Sequence, residues 1–154
     1  MTMTHDPFPA SGLPDPIVQA EFYQDVPVKR LIAWVADTVA IVALTAVVVL
    51  FTAFTALFFL PLAFLAVGFL YRWVTLANRS ATPGMRLVAI EIRAGDGGRL
   101  DPTLAGLHTL GYTVSMAIFP LQLISIALML MTERRQGLTD HVLGTAALNR
   151  AAGT

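Results

Sequence analysis

Asp37 is a carboxylate in the middle of an apolar run. It lies inside RLIAWVADTVAIV, residues 30–42, and the next charged residue after it is Arg72. Placing an aspartate in the middle of a bilayer helix costs about 2.5–3.5 kcal/mol on insertion scales, so it needs a partner or a task. Arg30 is the first candidate partner, seven residues earlier and two turns away on the same helix side. Arg72 and His108 are the next. The chemistry open to such a carboxylate is to carry a proton or a cation. The alternative is a structural ion pair that fixes helix register.

A second set of polar residues repeats at helical spacing. His108, Ser115 and Gln122 are seven apart, with Gly111 and Ser125 on the same stripe. Unsatisfied polar groups facing lipid cost several kcal/mol each, so the stripe must face protein or a water-filled cavity. It serves either as a polar path or as interhelical hydrogen bonds worth about 0.6–2 kcal/mol each. Arg30, Asp37, His108, Ser115 and Gln122 together form the candidate intramembrane site. No metal or cofactor is expected: the chain has no cysteine and three histidines. It also lacks HExxH, GxSxG and a P-loop, so it is not expected to be an enzyme.

The elements that carry these residues follow from composition. Charged residues are 13% of the chain, against about 25% in soluble domains, and hydrophobic residues are 56%. Residues 38–71 and 102–132 contain no Lys, Arg, Asp or Glu. A bilayer core of about 30 Å needs roughly 20 apolar residues per helix. The reading is an all-α membrane protein with about three transmembrane helices, near 29–51, 56–76 and 104–131. Pro61 belongs near the start of the second helix, where proline is tolerated. Pro120 should kink the third. Tyr71 and Trp73 fit an interfacial aromatic belt. Helix 1 sorts by size: Ile32, Val35, Val39, Val42, Ala46 and Val49 on a lipid face, and Ala33, Ala36, Asp37, Ala40 and Ala43 on a face for helix packing.

Between helices 2 and 3 the chain turns basic. The alternation in 86–93 suggests a short strand, and Gly95-Asp96-Gly97-Gly98 suggests that it folds back as a β-hairpin-like loop. Asp101-Pro102 reads as an N-cap followed by proline at N1. The loop arginines, Arg79 to Arg99, read as a solvated surface touching lipid headgroups, with specific lipid binding as the alternative. Residues 1–28 hold five of the nine prolines and no Lys or Arg. That composition argues against a signal peptide and for an extended, poorly ordered tail before a domain spanning 29–150. Nucleic acid is not an expected partner, because the net charge is zero. Short basic loops stay in the cytoplasm. Three full crossings would therefore put Arg134, Arg135 and Arg150 on the outer side, against that rule; the alternative is a third helix that is re-entrant or lies partly in the interface.

Several of these pieces occur in one recognised pattern. KRLIAWVADTVAI, then TPGMRLVAIEIR with a following GDGG, then RRQGLTDHVLGT, resemble the RDD family of small bacterial multi-pass membrane proteins, over about residues 23–148. The resemblance makes Arg30, Asp37 and Asp140 the arginine and two aspartates of the family's name. Gly84, Arg86 and Gly144 are further motif positions. The chain departs from the common pattern at Met85, His108 and Thr139. Without the resemblance, Thr139-Asp140 reads only as a helix start. The resemblance implies a bacterial inner-membrane location, and the basic loop, with Lys29 and Arg30 on its side, implies a cytoplasmic N-terminus. The resemblance also implies a poorly defined activity, with transport suspected for some members. The rival expectation is a structural protein whose Arg30/Asp37 pair and small-residue seam mediate packing. Either role implies a partner besides the lipid bilayer, as a homo-oligomer or with another membrane protein.

Overall fold

Prolines set where the helices begin. A computed structural model of the chain describes residues 11–150. Helix α1 spans Val26–Phe51, with Pro27 in its first turn, where a missing N–H breaks no helical bond. A tight 3-10 turn over Thr55–Phe59 reverses the chain, after Ala53 and Phe54 adopt left-handed backbone. Helix α2, Leu60–Arg79, then starts with Pro61 in its first turn. It runs three residues beyond the predicted end, because TLANR is helix-compatible although no longer apolar. Ser80 closes it with a left-handed cap.

The basic loop is more structured than its sequence suggests. Thr82-Pro83-Gly84 opens a short helix, α3 (Pro83–Leu87), with Thr82 as its N-cap. The strand predicted over 86–93 is therefore confined to β1, Ile90–Arg93, where Ile90 and Ile92 are fully buried and Glu91 and Arg93 are not. The expected hairpin is reduced to one bridge, Arg93 to Arg99. The partner of β1 is instead β2, Ala146–Asn149, antiparallel, in a register that sets Ile90 opposite Asn149 and Arg93 opposite Ala146.

The third apolar region is a bent pair. Helix α4 (Pro102–Ala117) and helix α5 (Phe119–Met131) meet at an angle of 116°. Pro120 is the cause: it offers no N–H to the carbonyl four residues back, and its ring clashes there. The kink expected at this proline is thus a full break at Ile118. A short helix, α6 (Leu138–Leu143), leads into β2. Two single helices, α1 and α2, are long and apolar enough to cross a membrane, and the bent pair counts as a third candidate.

The β1–β2 pairing fixes where the bent pair goes. The chain leaves β1 through α4 and returns to β1 in β2, so both ends of the pair lie at the same end of the α1–α2 hairpin. Helix α4, at about 1.5 Å per residue, is about 24 Å long, short of a bilayer core of about 30 Å. A bent pair of this kind is either a broken span or a re-entrant segment, and the shared end fits the second. Of the two expected alternatives, a full crossing with the chain ends on opposite sides and a re-entrant third region, the arrangement fits the second.

The densest core lies at that end. Val26, Ala33, Leu76, Met85, Ile90 and Ile92 belong to one buried cluster under the helices. Elsewhere α1 and α2 present large apolar side chains outward. Ile32, Val35, Val39 and Val42 of the predicted lipid face are exposed, while Val49 is buried. The buried stripe of α1 runs Ala33, Asp37, Ile41, Thr45. Of the tail predicted over 1–28, residues 1–10 lie outside the described residues. The following stretch is not extended: Gly12 N–H donates to Gly95 O, and Leu13 and Tyr23 are buried against Ala146 and Leu148.

Candidate functional site

The sequence singles out Asp37, and its surroundings are built from three elements. The residue is 1% exposed. Its Oδ1 accepts from the Tyr71 hydroxyl of α2 at 2.8 Å and from Gly84 N–H at 2.8 Å. Its Oδ2 accepts from the Thr82 hydroxyl. Thr82 also accepts from Met85 N–H, so one side chain caps α3 and binds the carboxylate. Gly84 is required by closeness: a Cβ there would lie 2.3 Å from Ala33 O and 2.8 Å from the Asp37 carboxyl. Asp37 therefore clasps α1 to α2 and to the Thr-Pro-Gly turn, through neutral donors.

Arg30, expected beside Asp37, reaches a different carboxylate. Its Nη1 donates to Asp140 Oδ2 at 2.5 Å. His108 Nε2 meets Asp140 Oδ1 at 3.0 Å. The Thr145 hydroxyl donates to the same Oδ1, and Gly137 N–H to Oδ2. The correction to the Arg30–Asp37 pairing has a simple geometric reason. Two turns of helix separate the two residues by about 10 Å along the axis, whereas α6 brings Asp140 directly over the first turns of α1 and α4. Asp140 has no exposed surface. Burial alone would push its carboxyl up; the Arg30 guanidinium and the His108 ring outweigh burial and hold it well below the usual carboxylate range. Gly144 ends α6 in the left-handed region, at φ 69°, which lets Thr145 N–H return to Asp140 O.

Arg72, the second partner considered for Asp37, is stacked over the Tyr112 ring at 3.9 Å from its centroid. Tyr112 also accepts from Trp34 Nε1 at 2.8 Å, which ties α4 to both α1 and α2. Trp73 donates to Pro102 O, and Tyr71 is taken up by Asp37, so neither acts simply as an interfacial anchor.

A cavity of about 490 Å³ lies between α1, α4, α5 and α6. Arg30, Asp37, His108, Ser115 and Gln122, all five residues of the candidate site, line it together with Asp140. Ser115 of α4 and Gln122 of α5 thus line the same cavity from the two sides of the break at Ile118. Most of the remaining wall is apolar. Asp37 and Asp140 are satisfied by protein donors. The Ser115 and Gln122 side chains hydrogen-bond to no other described residue. No group of three or more His, Asp or Glu able to hold a metal occurs among the described residues.

Sequence reasoning missed Tyr71, Thr82 and Tyr112. Only Thr82 carried a signal, through the Thr-Pro-Gly motif. The model of the RDD family matches residues 26–144, and the chain belongs to that family. No curated protein and no solved structure matches it.

Proposed function

We propose, from membership of the RDD family as the premise, that this membrane protein carries an ion or a small polar solute through the cavity between α1, α4, α5 and α6. The observation that supports this reading is the cavity itself. It lies among helices whose outer faces are apolar, and Ser115 and Gln122 turn unpaired polar groups into it. Polar groups without partners at membrane depth are tolerated where they line water. His108, bound to Asp140, lines the same cavity. The role is not enzymatic. The cavity lies at one flank of a small bundle, so a second copy of the chain or another membrane protein completes its enclosure.

The site is in the bacterial plasma membrane, with the sheet end in the cytoplasm. None of the ten Lys and Arg residues falls between Leu31 and Tyr71. The chain from Arg134 leads through α6 into β2, which pairs with β1 at the same end as the basic loop. With α4 and α5 returning, the basic residues gather at one end, and the conflict with the positive-inside rule disappears.

A second reading is favoured by the clasp at Asp37. Its carboxylate takes three protein donors and leaves little for an ion. Asp37 is accordingly assigned to structure and not to the path. The test is flux in proteoliposomes that contain a pH-sensitive dye and are given potassium or sodium gradients. Wild-type protein should move protons or cations. Ser115→Leu and Gln122→Leu should cut the rate at least fivefold while eluting as wild type in detergent. Absence of flux, or flux unchanged in both variants, would leave the assembly role as the function.

A further inference from the structure

Outside the membrane cavity, a second cavity of about 350 Å³ opens at the sheet end, lined by Asn78, Arg79, Arg86, Glu91, Arg99 and Arg150. Four arginines face one carboxylate, and that carboxylate is already engaged: Arg93 makes two hydrogen bonds to Glu91 Oε1. Arg79, Arg86 and Arg99 form no hydrogen bond or ion pair through their side chains among the described residues. The four come from separate parts of the chain. Arg79 ends α2, Arg86 lies in α3, Arg99 precedes α4, and Arg150 follows β2, where its N–H donates to Ala89 O. The like charges of Arg79, Arg86 and Arg99, brought to one cavity, repel one another, and an anion with several acceptor oxygens relieves that repulsion.

The location adds a second constraint. Leu87, next to Arg86, is 79% exposed, and Val74, on α2 near Arg79, is 53% exposed. Basic side chains beside outward apolar ones match the boundary between headgroups and acyl chains. Planar guanidinium forks match the oxygen geometry of phosphate better than an ammonium does.

We propose that Arg79, Arg86 and Arg99 form a phosphate-binding site at the membrane boundary. The phosphate is supplied either by an anionic phospholipid headgroup or by a soluble phosphate.

The whole protein is purified in a neutral detergent, and its melting temperature is followed with added phosphatidylglycerol, phosphatidylcholine, oleate or inorganic phosphate. Phosphatidylglycerol should raise it more than phosphatidylcholine or oleate does, identifying a lipid source; inorganic phosphate alone doing so identifies a soluble one. Arg79→Gln, Arg86→Gln and Arg99→Gln should each weaken the effective ligand about tenfold, the loss of one charge-assisted hydrogen bond. Arg135→Gln, which removes equal charge outside the cavity, should change nothing. Equal shifts with oleate and phosphatidylglycerol, or no shift with any phosphate, overturn the proposal in the wild-type protein whatever the variants do. Equal losses in Arg135→Gln and the cavity variants overturn it as well, by reducing the effect to net charge.

Discussion

Replacing Gly84 with alanine tests the Asp37 clasp most directly. At an unstrained helical position, Gly→Ala stabilises a protein by about 0.4–1 kcal/mol, because it restricts the unfolded chain. Gly84 has no positive φ, so that gain is available to it. The new methyl would, however, lie 2.3 Å from the Ala33 carbonyl oxygen. That oxygen belongs to the α1 backbone and cannot swing aside. The Thr-Pro-Gly turn must move away instead, and the Gly84 N–H and Thr82 hydroxyl bonds to Asp37 go with it. Hydrogen bonds to a charged group are worth about 1.5–3 kcal/mol each, so losing two costs about 3–6 kcal/mol. Against a total stability of about 5–15 kcal/mol, this leaves little folded protein. The control is Gly68→Ala, where the nearest atoms are two Ile41 methyl groups at 3.7 Å, ordinary contact distance. The measurement is thermal stability in detergent, read by the surviving monodisperse peak. Gly68→Ala should match wild type or exceed it slightly, and Gly84→Ala should lose most of the peak well below the wild-type midpoint. A Gly84→Ala protein as stable as wild type would show that the turn does not press on α1 as described.

Arg30→Ala should be strongly destabilising, because it leaves Asp140 buried without its main cation. Adding Asp140→Asn should recover part of the loss, while Asp37→Asn added to Arg30→Ala should combine additively within about 0.5 kcal/mol, as independent sites do; detergent melting of both pairs decides between them. The depressed Asp140 carboxyl contributes stability that is present above the ordinary aspartate value of 3.8 and is lost as pH falls towards its lower folded value. The advantage of wild type over Asp140→Asn should therefore hold from neutral pH down to about that point and shrink only below it. With no native cysteine, single cysteines at Asp96 and Glu133 should label with a membrane-impermeant reagent only after cell lysis, and one at Thr55 should label in intact cells. Labelling of the Glu133 position in intact cells would show that α4 and α5 cross.

The helices were legible because apolar runs of this length have one physical outcome in a chain this short. The buried stripe containing Ala33 and Asp37 could be read from side-chain size. The stripe His108, Ser115 and Gln122 survived the break at Pro120 because the bend turns both segments towards the same cavity. What could not be read was pairing over distance. Arg30 and Asp37 are close in sequence and on one helix side, yet Arg30 bonds a carboxylate 110 positions away. The same holds for β1: its local hairpin signal, Gly95 to Gly98, was real enough to give one bridge, but the buried edge at Ala146–Asn149 won. Nothing in AALN alternates, because all but its last residue are buried.

The return of the chain to β1 has a consequence for how the protein is made. In a two-crossing arrangement, only the uncharged tip, residues 52–59, has to be delivered to the far side of the bilayer. After that, no Lys, Arg, Asp or Glu needs translocation, since α4 and α5 carry none. Membrane insertion is thus complete in outline once α2 emerges, but the assembly is not. Asp140 and β2 are synthesised after α1 to α5, and until they arrive Arg30 lacks the counterion it has in the folded protein and β1 has an open edge. The final dozen described residues close the molecule like a latch, and a chain interrupted before them would be inserted yet remain a substrate for membrane proteases.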